Sequence, residues 1–143
     1  MHDFRKLLLS TVVLGATALL SVDPLALRKA GVSRPKISYL RDLAERVADG
    51  RLDLAALETM NDLEVIQAIT AVKGLGQWSA EMFLMFRLNR GDIFPVADLG
   101  IVRAVQKLLG MKRRPSIRTM ERLAEAWRPY RSVAAWYLWR IHE

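Results

Sequence analysis

From residue 34 to residue 141 the chain repeats one pattern: short runs with apolar side chains three and four apart, each closed by a capping residue or a glycine. That spacing lines one side of a helix, whereas a half-buried strand needs strict alternation, and no stretch of useful length alternates. Ile37, Leu40, Leu43, Ala44 and Val47 form one stripe, ended at Asp49-Gly50. Asp53 and Asn61 are candidate caps for the next pieces. Asn61 leads Leu63, Ile66 and Ile69 and has Glu64 three residues on, a capping-box pattern. Trp78, Met82, Met85 and Phe86 make another stripe, closed by Asn89-Arg90-Gly91. Asp98 leads Ile101, Val105 and Leu108, with Gly110 as terminator, and Ser116 leads Ile117, Met120, Leu123, Ala124 and Trp127. Pro129 is placed to open a last helix in which Trp136 and Trp139 share a side. The expected fold class is all-α. A length of 143 residues suits one compact domain or two small lobes flanking a cleft.

Composition excludes several kinds of chemistry. There is no Cys, so disulfides, thiolate catalysis and Cys-ligated zinc or iron–sulfur sites are out. His2 and His142 both lie near the ends, which argues against a histidine-built metal site or a Ser–His–Asp triad. The net charge of +7 is unevenly spread: residues 1–98 hold 12 basic and 12 acidic groups, residues 99–143 hold 10 and 3. A basic surface of that kind attracts a polyanion, although it also fits a merely solvated helix face. Lys112-Arg113-Arg114-Pro115 reads as an exposed inter-helix loop.

Residues 69–80 carry the most information: Ile-Thr-Ala-Val-Lys-Gly-Leu-Gly-Gln-Trp-Ser-Ala. A helix is expected to end near Val72, a tight turn to hold Gly74-Leu75-Gly76, and a second helix to start near Gln77. Two glycines one residue apart allow positive φ and close approach of a ligand to the backbone. Amides at the start of the second helix have no partner within it and suit an anion, and Lys73 adds a cation. An ordinary inter-helix turn reads equally well from these residues alone.

With its flanks, the Val-Lys-Gly-Leu-Gly-Gln-Trp-Ser-Ala segment resembles the helix-hairpin-helix of DNA repair glycosylases. Downstream, Gly91-Asp92-Ile93-Phe94-Pro95-Val96-Ala97-Asp98-Leu99-Gly100 looks like that family's Gly/Pro-rich loop, which leads into a helix carrying an essential Asp. The segment from Trp127-Arg128-Pro129-Tyr130-Arg131-Ser132 to Trp139-Arg140 looks like the closing helix of the alkylpurine (3-methyladenine glycosylase II) branch. Leu27 to Leu40 fits the same branch. The resemblance covers about residues 25–141. It departs at the start, where residues 1–22 lack the Gln-Gln and Ser pattern of the branch's entry helix. Residues 1–22 are therefore expected to be an atypical apolar helix, and residues 23–143 a glycosylase-like domain with its hairpin at 69–86.

The resemblance implies a mechanism. Breaking an N-glycosidic bond develops charge on the sugar, which a nearby carboxylate stabilises. Asp98 is read locally as a helix N-cap and, by resemblance, as the catalytic carboxylate; Asp92 is assigned to holding the loop. Bifunctional relatives place a nucleophilic Lys where this chain has Trp78, so a monofunctional enzyme using water is expected. Base-binding residues would be Trp78, Trp139 and Met82, since an indole face attracts a cationic alkylated purine. Trp127 and Trp136 are expected in the core. DNA contacts would come from Lys73, Gly74, Leu75, Gly76, Gln77, Ser79 and Arg131.

The implied partner is double-stranded DNA with alkylated purines, with no membrane and no required protein partner. No cofactor is expected beyond a monovalent cation that the family often holds on hairpin carbonyls. Arg5 and Lys6 before Leu7 to Leu20, a run whose Ala16-Thr17-Ala18 looks like a small-residue cleavage site, imitate a secretory signal. A buried helix reads equally well there, and a cytoplasmic location is expected. A non-catalytic helix-hairpin-helix module that binds DNA is the alternative to an enzyme.

Overall fold

The computed structural model describes residues 14–142. Those residues gather into two compact units, one running to Gln77 and the other from Trp78 onward. Among the described residues all regular structure is helical.

In the first unit, α1 covers residues 14–21, α2 Pro24–Lys29, α3 Arg34–Ala48 and α4 Asp62–Thr70. The rest of the apolar helix expected over residues 1–22 lies outside the described residues. Local chemistry sets the starts. Asp23 and Ser33 cap α2 and α3 with side-chain oxygens, and each helix has Pro in its first turn, where no intrahelical amide is needed. Asn61 and Glu64 form the reciprocal capping box of α4. Asp53 accepts from the amides of Ala55 and Ala56, opening a turn that ends in the short 3-10 segment Ala56–Glu58. Helix α2 packs on α3. Ile37, Ala44, Leu52, Leu57, Val65, Ile69 and Val72 are buried.

The second unit takes in α5 (Gln77–Phe86) from Trp78 on, α6 (Leu99–Leu108), α7 (Ile117–Ala124) and α8 (Arg131–His142). Asp98 and Ser116 are the N-caps of α6 and α7. Helix α6 packs against α8, burying Ile101, Val102, Ala104 and Val105 on one side and Ala135 and Leu138 on the other. Leu84, Met120 and Pro95 are almost fully enclosed.

Two local expectations are corrected. Helix α8 begins at Arg131, not Pro129: the Tyr130 amide closes a turn on the Trp127 carbonyl, and the Tyr130 carbonyl accepts from Ala134. The Arg128–Pro129 bond within that turn is cis. Trp136 is not a core residue; it is 56% exposed, because α8 turns its Ala135 and Leu138 side to α6 instead.

Candidate active site

The turn between α4 and α5 lies mostly in the first unit. Helix α4 ends at Thr70, and the chain winds through two further bonds, Val72 amide to Ile69 carbonyl and Leu75 amide to Val72 carbonyl. Gly74 has φ +83°, a left-handed conformation that a side chain would strain, and its missing Cβ leaves room for the Tyr39 ring. Gly76 differs from expectation: it lacks a positive φ, and nothing lies within 4 Å of where its Cβ would stand. The turn needs only one left-handed residue, so Gly76 keeps the surface over the start of α5 open and does not bend it. Lys73, Gly74, Gly76 and Gln77 are exposed; Leu75 and Ser79 are half-buried. The Lys73 ammonium donates to Ser38 Oγ at 2.9 Å, and its backbone amide donates to Asp42 at 2.7 Å.

In the second unit, Asp98 combines capping with a second set of bonds. Its Oδ1 accepts from the Ile101 amide at 2.9 Å, which starts α6, and from Trp139 Nε1 at 2.9 Å. Its Oδ2 accepts from Trp78 Nε1 at 2.8 Å. The carboxylate is thus drawn between the first turn of α5 and the last turns of α8, 20 and 41 residues away in the chain. Burial pushes the Asp98 carboxyl up, but the bonds from Ile101, Trp139, Trp78 and Gly100 outweigh it and hold the group below the usual carboxylate range. All these donors are neutral, so the ionised group keeps its full negative charge.

The loop before Asp98 is held by the other end of α8. Arg131 Nε donates to Asp92 Oδ1 at 2.6 Å, and Arg131 Nη2 reaches the Asp92 carbonyl at 2.8 Å and Oδ2 at 3.0 Å. Arg128 adds Nη1 to Asp92 Oδ2 at 2.8 Å and is itself paired with Glu125. The Arg131 bonds lower the Asp92 carboxyl, against a smaller upward push from burial. Ser132, 7% exposed, accepts from the Ile93 amide at 3.0 Å and donates to the Arg90 carbonyl at 2.7 Å, while its own amide donates to Gly91. Asp92 therefore fastens the loop, and Arg131 is largely engaged in that fastening.

Aromatic rings pair with one another in the same unit. Trp139 stacks on Phe86 with ring centroids 5.9 Å apart and planes 24° from parallel, and Trp136 meets the same ring at 5.9 Å, tilted by 46°. Trp127 is half-buried against Phe94. Trp78, Met82 and Phe86 recur every four residues, so they share a side of α5, with Trp78 and Phe86 each 52% exposed and Met82 half-buried. Phe86 was assigned no part in the site by the sequence, although its fourfold spacing from Trp78 and Met82 was the available signal. Ser132 and Asp42 gave no signal, since each acts on residues more than thirty positions away. Among the described residues, no three His, Asp or Glu groups gather to hold a metal, and no helix is long and apolar enough to cross a membrane.

The chain is similar to several known proteins. The chain is 35% identical over 115 residues to DNA-3-methyladenine glycosylase 1 of Schizosaccharomyces pombe, covering 80% of this chain and 50% of that protein. A solved DNA-3-methyladenine glycosidase from Bacillus halodurans superposes with a TM-score of 0.80 at 42% identity, over 89% of this chain and 58% of that one. The Schizosaccharomyces pombe 3-methyladenine DNA glycosylase in complex with abasic DNA gives 0.81 at 32% identity, over 87% and 61%. The chain spans about half the length of the curated relatives it matches. The pattern described as HhH-GPD superfamily base excision DNA repair protein matches residues 4–129. With an Asp-capped helix following a Gly/Pro loop and a glycine turn ahead of α5, the chain belongs to the HhH-GPD superfamily of base excision DNA repair proteins.

Proposed function

We propose that this chain carries the catalytic machinery of a monofunctional DNA glycosylase that releases alkylated purines. The observation that carries the reading is the Asp98 carboxylate: ionised, and held by two indole N–H groups and a backbone amide, none of which carries a charge. A purine alkylated on a ring nitrogen is already cationic. When its bond to C1′ breaks, the electron pair leaves with the base, which departs neutral and needs no acid. Positive charge passes to the sugar, where Asp98 stabilises it. Water then bonds to C1′ and gives up a proton, completing hydrolysis to an abasic site. With most of its lone pairs directed at donors, Asp98 is better suited to supplying charge than to abstracting that proton.

Trp78, Trp139 and Met82 would receive the extruded base; an exposed indole is attracted to a cationic base by about 0.5–2 kcal/mol. The turn at Lys73, Gly74, Leu75, Gly76 and Gln77, together with Ser79, would grip the DNA backbone without reading sequence. Arg131, expected as a further DNA contact, has its guanidinium engaged by Asp92 and enters this reading as the residue that fastens the loop. The partner in this reading is duplex DNA, and the cytoplasmic location expected from the sequence would put the protein beside it. Homology to 3-methyladenine glycosylases supports the substrate class. No cofactor enters the reaction. Equal duplex binding in potassium and tetramethylammonium buffers would remove the monovalent cation expected at the turn.

The test is release of free base from methylated duplex. The parent should release it and leave alkali-labile abasic sites without cutting the strand itself. Salt-dependent duplex binding with no release from any alkylated substrate would overturn catalysis and leave the DNA-binding module.

A further inference from the structure

We propose that Asp42 on α3 is a positioning residue for the Lys73–Gly76 turn, fixing through the Lys73 amide the backbone geometry with which that turn meets a phosphate. The inference rests on the reading of the turn as a DNA-backbone contact.

Lys73 lies just past the end of α4, where a backbone amide has lost its helical acceptor. Among the described residues no backbone oxygen takes the Lys73 amide; Asp42 Oδ2, 31 residues away, accepts it at 2.7 Å. Two neighbours on the same side of α3 act on the same spot. Ser38, one turn before Asp42, accepts the Lys73 ammonium at 2.9 Å. The Tyr39 ring fills the space that a Cβ on Gly74 would occupy, beside a residue at φ +83°. Amide, ammonium and α-carbon of one dipeptide are thus each set by a different α3 side chain.

Electrostatics argues that the role is geometric. A carboxylate next to a phosphate grip repels the phosphate, so Asp42 would weaken binding if charge were its whole contribution. Its Oδ2 also accepts from Arg46 Nε at 2.9 Å. Removing Asp42 would therefore delete an anion and release a cation, and both changes favour DNA. A loss of affinity on removal would have to come from a turn that must be ordered at the moment of binding.

Duplex binding by the full chain, followed by fluorescence anisotropy across a salt series, separates these contributions. Asp42→Ala should weaken binding about tenfold across the salt series, with the slope of log affinity on log salt no shallower than the parent's. Asp42→Asn keeps an acceptor oxygen for the Lys73 amide and should stay within about threefold of the parent. Hydrogen exchange gives a readout without DNA: the Lys73 amide should be protected in the parent and in Asp42→Asn and should exchange freely in Asp42→Ala, with Val65 to Ile69 still protected. Unchanged or tighter binding by Asp42→Ala overturns the proposal, as does an Asn variant as weak as the Ala variant. Loss of protection throughout α4 also overturns it, because Asp42 would then serve general stability. A parent that binds no duplex refutes the phosphate-grip reading itself and this proposal with it, an outcome distinct from a parent that binds and an Ala variant that binds equally.

Discussion

Asp92 and Asp98 stand six residues apart, near the two ends of one Gly/Pro loop, and both are tied to α8, yet their carboxylates do opposite work. Asp92 is held by two guanidinium groups, Arg131 at the start of α8 and Arg128 in the turn before it, which cancel its charge. Asp98 is tied near the end of α8 by an indole N–H, with a second indole and a backbone amide completing its bonds. Both are held below the usual carboxylate range, so lowered pKa does not distinguish them. The donors do. A carboxylate matched by arginine offers little to an approaching cation, whereas one oriented by neutral donors is equally fixed and still negative. Position in the loop is a weaker guide to role than the charge of the partners.

The comparison breaks outright if Asp98 can lose its charge without consequence. Asp98→Asn keeps a good N-cap and the acceptor for one indole, so the fold and duplex binding should survive while base release falls by about 100-fold or more. Single-turnover release measured beside thermal melting checks both halves. The reciprocal change at the other end should act on stability first. Arg131→Ala leaves the Asp92 carboxylate half-buried with only Arg128, and should cost about 1–3 kcal/mol, less than a fully buried pair because Asp92 is partly exposed. Denaturant melting reads that loss directly; a variant as stable as the parent would deny the fastening role.

A finer test removes donors singly. Trp139→Phe keeps an aromatic ring against Phe86 but deletes one N–H bond to Asp98, and should slow release about tenfold without changing duplex affinity. If release is unchanged, the indole acts only as a wall. The smallest effect concerns pH. Because Asp98 is held below the usual carboxylate range, its ionised form persists through neutral and mildly acidic solution, and release should decline only as pH falls below that range. Trp139→Phe relaxes the group toward its ordinary value, so its acid limb should move upward in pH.

Some of the molecule was plain in the residue order. The caps at Asn61, Asp98 and Ser116 were legible because a cap and the amide it accepts lie three residues apart, within reach of local pattern. The glycine turn was legible in position but not in detail, since only Gly74 is left-handed and only the Tyr39 ring explains why no Cβ fits there. Trp136 and Trp139 look alike at helical spacing, yet one is exposed and the other bonds to Asp98; the periodicity of α8 cannot say which side meets α6.

The chain's own order determined the helical class, the ends of most helices, the turn before α5 and the capping role of Asp98, because each depends on φ/ψ preferences and bonds closed over a few residues. Tertiary structure alone decided that Trp78 and Trp139 direct their N–H groups to Asp98, that Arg128 and Arg131 neutralise Asp92, and that Asp42 takes the Lys73 amide. Those bonds join groups 20 to 41 residues apart, and hydrogen bonds act over about 3 Å, so only the packed chain can bring their ends together.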